Sequence, residues 1–442
     1  MPFNHITPDE AAQIINNGAT LGLSGFTAPG TPKGVTEGVA RKAIKEHEAG
    51  REYKVNIFTG ASTNRHVDTI LAENNAINRR APYQNLPVSR QHINTHDIHY
   101  FDRHLSEMAQ ETRYGFYGPI DFAIIEAADI TPDGEVLLGC GLGNVPTYAH
   151  MADKIFIEIN HKLPKHLHGM HDVVLLNDPP YRREVPIYHA NDRIGSPVLK
   201  IDPKKIVGII DTEEFDGVKA FTAVDETSTK IGNNVVDFLL GEYRAGRIPK
   251  EFLPLQSGVG NVANAVLYGL GEAKELPNFM MYTEVIRRLG VIAMNTALEA
   301  DIFGAVNSSH VLGVKMMNGI GGSGDFARNG YISIFSCPSV SKGGLISNIV
   351  PMVTHTDSSE HSVDVIVTDQ GIADLRGTDP VQRAERIIEN CAHPDYKPLL
   401  REYLKMGKFG QTPHTLQAAF AFHVAFNETG DMRNADFGRY MK

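Results

Sequence analysis

The sequence predicts an α/β protein of two tandem open domains, each built on a mainly parallel sheet. Three observations carry this. Short apolar strands alternate with helical segments along the chain, which is the pattern of strand–helix–strand units. Small residues follow the strand ends, as at Ser24-Gly25 and Gly60-Ala61-Ser62. Phe122-Ala123-Ile124-Ile125-Glu126-Ala127 is nearly continuous apolar, as expected of a strand buried on both faces. A length of 442 residues accommodates two such domains, each able to bury an ordinary core.

In chain order, Thr7-Pro8-Asp9-Glu10 reads as a helix start, with a capping hydroxyl, proline at the first helical position and acids at the positive end. A strand over Ala19–Leu23 runs into the loop Ser24–Gly30. Lys54–Thr59 is a second strand, ending on Gly60-Ala61-Ser62-Thr63. Lys154–Asn160 and Ile206–Ile210 add two more. From Asp211 to Lys219 the chain turns polar and acidic, which places a domain boundary there and gives domains 1–215 and 216–442. In the second half, Ile231–Gly241 is a helix and Val363–Thr368 a strand leading into Asp369-Gln370-Gly371. Thr378-Asp379-Pro380 then caps a helix reaching Cys391. The pair Gly141-Leu142-Gly143-Asn144-Val145 and Gly258-Val259-Gly260-Asn261-Val262 hints at a duplicated fold.

Composition excludes several function classes. The chain has 42 basic and 52 acidic residues, a net charge of −10, and no long basic run, so nucleic acid is not an expected partner. The three cysteines, Cys140, Cys337 and Cys391, form no Cys-x-x-Cys pair, which argues against a disulfide framework or a zinc site. No stretch approaches the ~20 apolar residues of a membrane helix. Met1-Pro2-Phe3-Asn4-His5 lacks the basic and apolar regions of a signal peptide. The expectation is a cytoplasmic protein without a membrane association.

The stretch Gln256–Glu284 draws the chemistry together. A glycine loop, Gly258 to Val262, feeds a helix, and the apolar strand Phe279–Ile286 carries one carboxylate, Glu284. Backbone donors beside a lone carboxylate suit a charged ligand together with nucleophilic or acid–base work. An acid at a strand end is also commonly solvated or ion-paired, and Arg287 and Arg288 are near; spacing alone favours that pairing.

Gly319-Ile320-Gly321-Gly322-Ser323-Gly324 satisfies G-x-G-x-x-G, but no acid near Gly344 would meet a ribose, so the loop reads as a backbone nest for an anion or oxyanion. The histidine groups 161, 166, 168, 171 and 92, 96, 99, 104 fit no common metal spacing. The β-branched Ile93, Thr95 and Ile98 disfavour a helix that would put His92 and His96 on one face. No metal is expected, and no nucleophile elbow or catalytic-cysteine signature occurs.

Long motifs in order then bring in a resemblance. Gly25-Phe26-Thr27, Gly60–Thr63, Gly258–Leu267, Tyr282-Thr283-Glu284-Val285, Lys315–Arg328, Asp369–Gly377 and Cys391–Tyr396 together resemble the acetyl-CoA hydrolase/transferase family, in its succinyl-CoA:acetate and propionyl-CoA:succinate CoA-transferase branch. The resemblance implies two α/β domains with the active site between them, in a homodimer. It implies that coenzyme A moves between a short-chain acyl-CoA and a carboxylate. CoA would serve as substrate and covalent intermediate, with no tightly bound cofactor, and Glu284 as the nucleophile. Gly258, Val259, Gly260, Asn261 and Val262 match the CoA-binding loop. Gly322 matches an oxyanion or CoA donor, Leu298 and Lys342 match CoA-contacting positions, and Asp369, a further catalytic candidate, stands where close relatives carry Glu, with a shorter reach to an active-site partner. Where relatives with succinate activity have an arginine, Asp216–Lys219 has none, so a carboxylic acid acceptor is implied more firmly than succinate itself. Relatives carry several dozen more residues between the Tyr-Thr-Glu-Val strand and Arg287-Arg288-Leu289-Gly290, so the second domain is expected to be shortened near residue 286.

Overall fold

The computed structural model describes residues 3–189, 191–217, 223–258, 260–276 and 289–440. Lys219, Val259 and the expected strand Phe279–Ile286 with Glu284 lie outside these residues. The described residues divide into two compact units. The first falls within Met1–Pro186, Asp192–Ala220 and Met316–Gly322; the second within Ile187–Asn191, Phe221–Lys315 and Ser323–Lys442.

The first unit holds nine strands: β1 (Thr20–Leu23), β2 (Val55–Phe58), β3 (Ile77–Ala81), β4 (His99–Tyr100), β5 (Phe122–Ile130), β6 (Glu135–Leu138), β7 (Lys154–Asn160), β8 (Leu199–Lys200) and β9 (Ile206–Thr212). The order β4-β3-β2-β1-β5-β7-β9 is parallel throughout. β6 and β8 extend the far end of β5 as antiparallel strands. The predicted strands at 19–23, 54–59, 122–127, 154–160 and 206–210 are all present. β5 is central, and its first seven residues are buried, as its apolar run requires.

Helices α1 (Pro8–Ile14), α2 (Gly34–Glu48), α3 (Ile70–Glu73), α4 (Pro87–Asn94), α5 (Leu105–Arg113) and α6 (Val145–Met151) accompany this sheet. Thr7 caps α1 in a full capping box with Glu10, so the start signal read at Thr7 is the one used. The reading against a helix at His92 is corrected: α4 runs to Asn94, with His96 beyond its end. Pro87 at the first helical position presets the backbone, and the buried Ile93 supplies an apolar anchor, which together outweigh β-branching.

The second unit carries the sheet β10 (Leu255–Ser257), β11 (Ile292–Thr296), β16 (Ile332–Ser336), β20 (Val365–Val367) and β21 (Ile372–Asp374), in that order and parallel except for β21. The intervening strands are two or three residues long: β12 (Glu299–Asp301), β13 (Val306–Asn307), β14 (His310–Val311), β15 (Lys315–Met316, whose Met316 already belongs to the first unit), β17 (Val340–Ser341), β18 (Ile346–Ser347) and β19 (Ile349–Val350). Its helices are α7 (Glu226–Arg244), α8 (Asn261–Glu272), α9 (Ser323–Asn329), α10 (Pro380–Cys391), α11 (Lys397–Met406) and α12 (Ala421–Thr429). Asp379 caps α10 in a capping box with Gln382, and α10 ends at Cys391 as read from the sequence. The helix placed at Ile231–Gly241 is longer, because Asp225 caps it five residues before Lys230.

The hint of duplication resolves to a local likeness. Each glycine loop opens a helix, α6 at Val145 and α8 at Asn261. The strand before the first loop is antiparallel to its neighbour β5, whereas β10 before the second is parallel to β11.

Candidate functional site

In the second unit, the residues implied by the resemblance fall beyond the carboxyl ends of parallel strands, where open α/β sheets place their ligands. The loop after β10 contains Gly258, whose amide donates to Met294 O at 3.2 Å and so ties the turn to the end of β11. Gly260 adopts φ 131°, ψ −178° and supplies the N-cap position of α8 with no side-chain cap. An L-residue is strained there, and glycine is not. Asn261 and Val262 follow in the first turn, both half-buried, and Asn261 hydrogen-bonds the Asp225 carboxylate.

Leu298 follows β11, and its amide donates to Asn307 O at 2.9 Å. Asp369 follows β20. Its carboxylate accepts the Ser339 amide at 2.6 Å and the Ser339 hydroxyl at 3.1 Å, so it pins the loop after β16. That loop carries Lys342, exposed at φ 48°, with Nζ 5.0 Å from the centre of the Phe426 ring. Cys337 lies in the same loop, fully buried. Burial and the nearby Asp369 push its thiol up to about 12, so it stays protonated and is no nucleophile.

Gly322 belongs to the first unit. The strip Met316–Gly322 is stitched there by Asn94, which donates to Met316 O at 3.0 Å and accepts from Met316 N at 2.9 Å. Part of the proposed anion nest is already filled: Asp102 Oδ2 accepts the Ile320 amide at 2.7 Å. Gly319 fits because its missing side chain would stand 2.5 Å from the Tyr100 hydroxyl. Among the described residues the Gly322 amide has no hydrogen-bond partner.

The first unit also contains a buried charge cluster that sequence reading missed. Strand order reverses direction between β1 and β5, and the carboxyl ends there form a crevice in folds of this class. Here that crevice is filled by the chain's own groups. The Glu158 carboxylate, on β7, accepts the amides of Lys33, Gly34 and Val35 at 2.6, 3.1 and 2.7 Å. It takes the amides of the N-cap and the first two positions of α2, donors that a phosphate at this helix start would otherwise use. Lys33 Nζ bonds Glu126, Thr31 O at 3.1 Å and Asp216 at 3.0 Å, with only 2% of its side chain exposed. Burial pushes the Glu126 carboxyl up to about 7 against the attraction of Lys33. Asp216 also accepts the Gly30 amide at 3.2 Å, which fixes the loop after β1.

A visible signal for this cluster existed: Glu126 and Glu158 are acids inside otherwise apolar strands. A second buried pair, Glu299 with His423 at 2.8 Å, carries no such signal. Burial alone would raise Glu299, but His423 and the donors of Asn307 and Thr354 hold it below the usual carboxylate range. Among the histidines singled out from sequence, His161 pairs with Asp211 at 2.7 Å and His92 with Asp97 at 3.1 Å. The one group with metal-ligand spacing among the described residues is instead Glu37, His66 and Glu214. In it one carboxylate faces each nitrogen of the His66 ring, at 3.2 and 3.0 Å.

Comparison with known proteins bears on what these loops serve. Residues 2–211 match the acetyl-CoA hydrolase/transferase N-terminal domain, and residues 276–404 match the C-terminal domain. The chain is 43% identical over 486 residues to a propanoyl-CoA:succinate CoA transferase of Escherichia coli (strain K12), covering 97% of this chain and 99% of that one. It is 42% identical over 487 residues to a succinyl-CoA:acetate CoA-transferase of Clostridium kluyveri, covering 97% and 90%. It is 39% identical over 499 residues to an acetyl-CoA hydrolase of Schizosaccharomyces pombe, covering 96% and 95%. An alignment of 486 positions against a chain of 442 means that the relative has at least several dozen residues without a counterpart here. Among solved structures, RipA from Yersinia pestis has a TM-score of 0.67 at 19% identity, covering 91% of this chain and 97% of that one. A 4-hydroxybutyrate CoA-transferase from Porphyromonas gingivalis has a TM-score of 0.57 at 18% identity with the same coverage, and both likenesses bear on the fold. With both domain families matched in order and two-fifths of its residues shared with full-length relatives, the chain belongs to the acetyl-CoA hydrolase/transferase family.

Proposed function

We propose that this protein is a CoA-transferase that moves coenzyme A between a short-chain acyl-CoA and a carboxylate such as acetate or succinate. The observation that carries this reading is the identity, over 97% of the chain, with two proteins named as CoA-transferases. In the proposed reaction a Glu284 carboxylate oxygen attacks the thioester carbonyl, and the C–S bond breaks to release CoA thiolate and leave a mixed anhydride. The thiolate then attacks the glutamyl carbonyl, which forms a glutamyl-CoA thioester and expels the first acid as its carboxylate. A second carboxylate reverses these steps and leaves with CoA, and no proton is gained or lost.

Each attack builds negative charge on a carbonyl oxygen, and positioned amide donors at such a site supply ~3 kcal/mol each. The amides of Val259 and Gly322 take that role, and Gly258, Gly260, Asn261 and Val262 complete the cradle for CoA. Leu298 and Lys342 contact CoA, Lys342 as a mobile point charge for phosphate. Asp369 acts from the neighbouring loop, shorter by one methylene than the Glu of relatives. The reading includes a homodimer in the cytoplasm, a domain boundary in the chain between residues 215 and 216, and the missing positions falling beside Ile286. CoA is a substrate rather than a resident cofactor, and no metal takes part.

Intact-mass measurement after incubation with acetyl-CoA tests the reading. A CoA adduct that hydroxylamine removes and Glu284→Ala lacks is expected. No adduct during turnover, or an adduct that survives in Glu284→Ala, would sink it. A second reading, acyl-CoA hydrolysis, is favoured by the 39% identity with an acetyl-CoA hydrolase. Release of free CoA that acetate and succinate fail to suppress would select it.

A further inference from the structure

We propose that a cleft in the second unit, floored by Phe303, Met352 and Val353, binds a small organic carboxylate through Arg383 and His414. The cleft measures about 430 Å³, a size suited to one small molecule. None of the residues assigned above to CoA or to catalysis lines it.

The donors are set by their surroundings. Arg383, in the second turn of α10, spends Nη1 on Glu360 O at 2.8 Å, and among the described residues no carboxylate pairs with its guanidinium. It lies against the turn Asp301–Ala305, where a side chain at Gly304 would come within 3.2 Å of Nη1. His414 stands edge-on to Phe303, ring centres 4.4 Å apart. The buried Tyr403 hydroxyl accepts the Thr415 amide at 3.3 Å and lies 2.9 Å from His414 Nδ1. Among the described residues Nδ1 is the one acceptor for that hydroxyl's proton. Nδ1 therefore carries the lone pair, and Nε2 carries the hydrogen. Burial also holds His414 below the ordinary imidazole range, so it is a neutral donor.

Three acids also line the cleft, and each has a neighbour of its own. Asp301 accepts the amides of Phe303, Ala305 and Val353 at 3.1, 2.9 and 3.3 Å. Asp379 is the N-cap of α10, accepting from Gln382 at 2.9 Å. Glu360 faces His361 at 3.4 Å. The donors left for a ligand are the Arg383 guanidinium and His414 Nε2 above an apolar floor, and because the carboxylates of Asp301, Glu360 and Asp379 also line the cleft, an anion must be held by direct contact with Arg383. That combination suits a carboxylate with a compact apolar body; an inorganic anion would leave the floor uncovered.

Benzoate is the probe, with benzamide as its neutral isostere, and the readout is the methionine methyl spectrum of the intact ¹³C-methyl-labelled protein. Met352→Leu assigns the reporting methyl. A saturable Met352 shift with benzoate and none with benzamide is expected. Arg383→Gln should weaken benzoate by about tenfold or more, the loss of one charge-assisted bond. The shift should persist in Glu284→Ala, so this proposal and the proposed reaction fail independently. A Met352 methyl unmoved by about 20 mM benzoate, a far weaker regime than any specific site, overturns the proposal. So does an equal response to benzamide, which needs no variant to fold, or unchanged affinity in folded Arg383→Gln.

Discussion

Arg80 and Asp68 form an ion pair, Nε to Oδ1 at 2.8 Å, with neither side chain exposed to solvent. The guanidinium also donates to Thr59 Oγ1 at 3.0 Å, Ala81 O at 2.7 Å and Ser62 O at 2.6 Å. One buried charge thus holds the loop that follows β2. Asp68→Ala leaves that charge without a partner and should cost about 3–5 kcal/mol in urea unfolding. The apolar double variant Arg80→Met/Asp68→Leu should lose less than the single one, while still lowering turnover because the Thr59–Ser62 loop is untied. A double variant as unstable as Asp68→Ala would refute the argument.

Glu126 predicts a pH dependence of folding. Below its ordinary value of 4.5 the carboxyl is protonated in both states, and its native pKa is about 7. Between those values the unfolded chain ionises while the native protein keeps its proton, so stability falls as pH rises and the loss is complete above about 7. The loss should amount to about 3 kcal/mol at most. Glu126→Gln should remove this slope from the pH–stability profile, and parallel profiles for the two proteins would count against a raised pKa.

Gly260 and Gly258 should respond differently to alanine. A Cβ on Gly260 meets open space, so its cost is the strain of φ 131°, about 1–3 kcal/mol. A Cβ on Gly258 finds only Met294 O, at 3.7 Å, and carries no such strain. Gly260→Ala should raise the KM for acyl-CoA roughly tenfold or more by moving the first turn of α8, and Gly258→Ala should raise it less. Steady-state kinetics of the two variants decide the order.

Ser339→Ala deletes the hydroxyl bond to Asp369 and leaves the amide bond in place. The expected cost is about 1 kcal/mol, seen as a several-fold rise in KM for CoA with a small change in thermal stability. A large drop in kcat at constant KM would instead place Asp369 in the reacting complex through that hydroxyl.

Local rules carried most of what was legible in the sequence. The caps at Thr7 and Asp379 and the apolar run of β5 each depend on neighbours within a few residues. The helix over His92 runs against the β-branched Ile93 and Thr95 because Pro87, five positions earlier, sets the backbone at its start. The partners within the charge clusters were not legible for another reason. Lys33 meets Glu126 and Asp216 across 93 and 183 positions, and Asp102 meets Ile320 across 218. Pairings at that separation follow from sheet order, which no local pattern encodes. Acids buried inside apolar strands were the one trace such pairings left.

The strip Met316–Gly322, held by Asn94 and Asp102, makes the two halves of the gene unequal partners in recombination. A crossover near codon 220 that imports a relative's second half also imports a foreign strip into the first unit. Such a hybrid must match at four places at once: the Asn94 clasp on residue 316, the Asp102 acceptor for residue 320, the Tyr100 wall against residue 319, and the Gln84 carbonyl that takes the residue 319 amide. Family members are therefore expected to exchange this strip together with the first half, as a noncontiguous cassette.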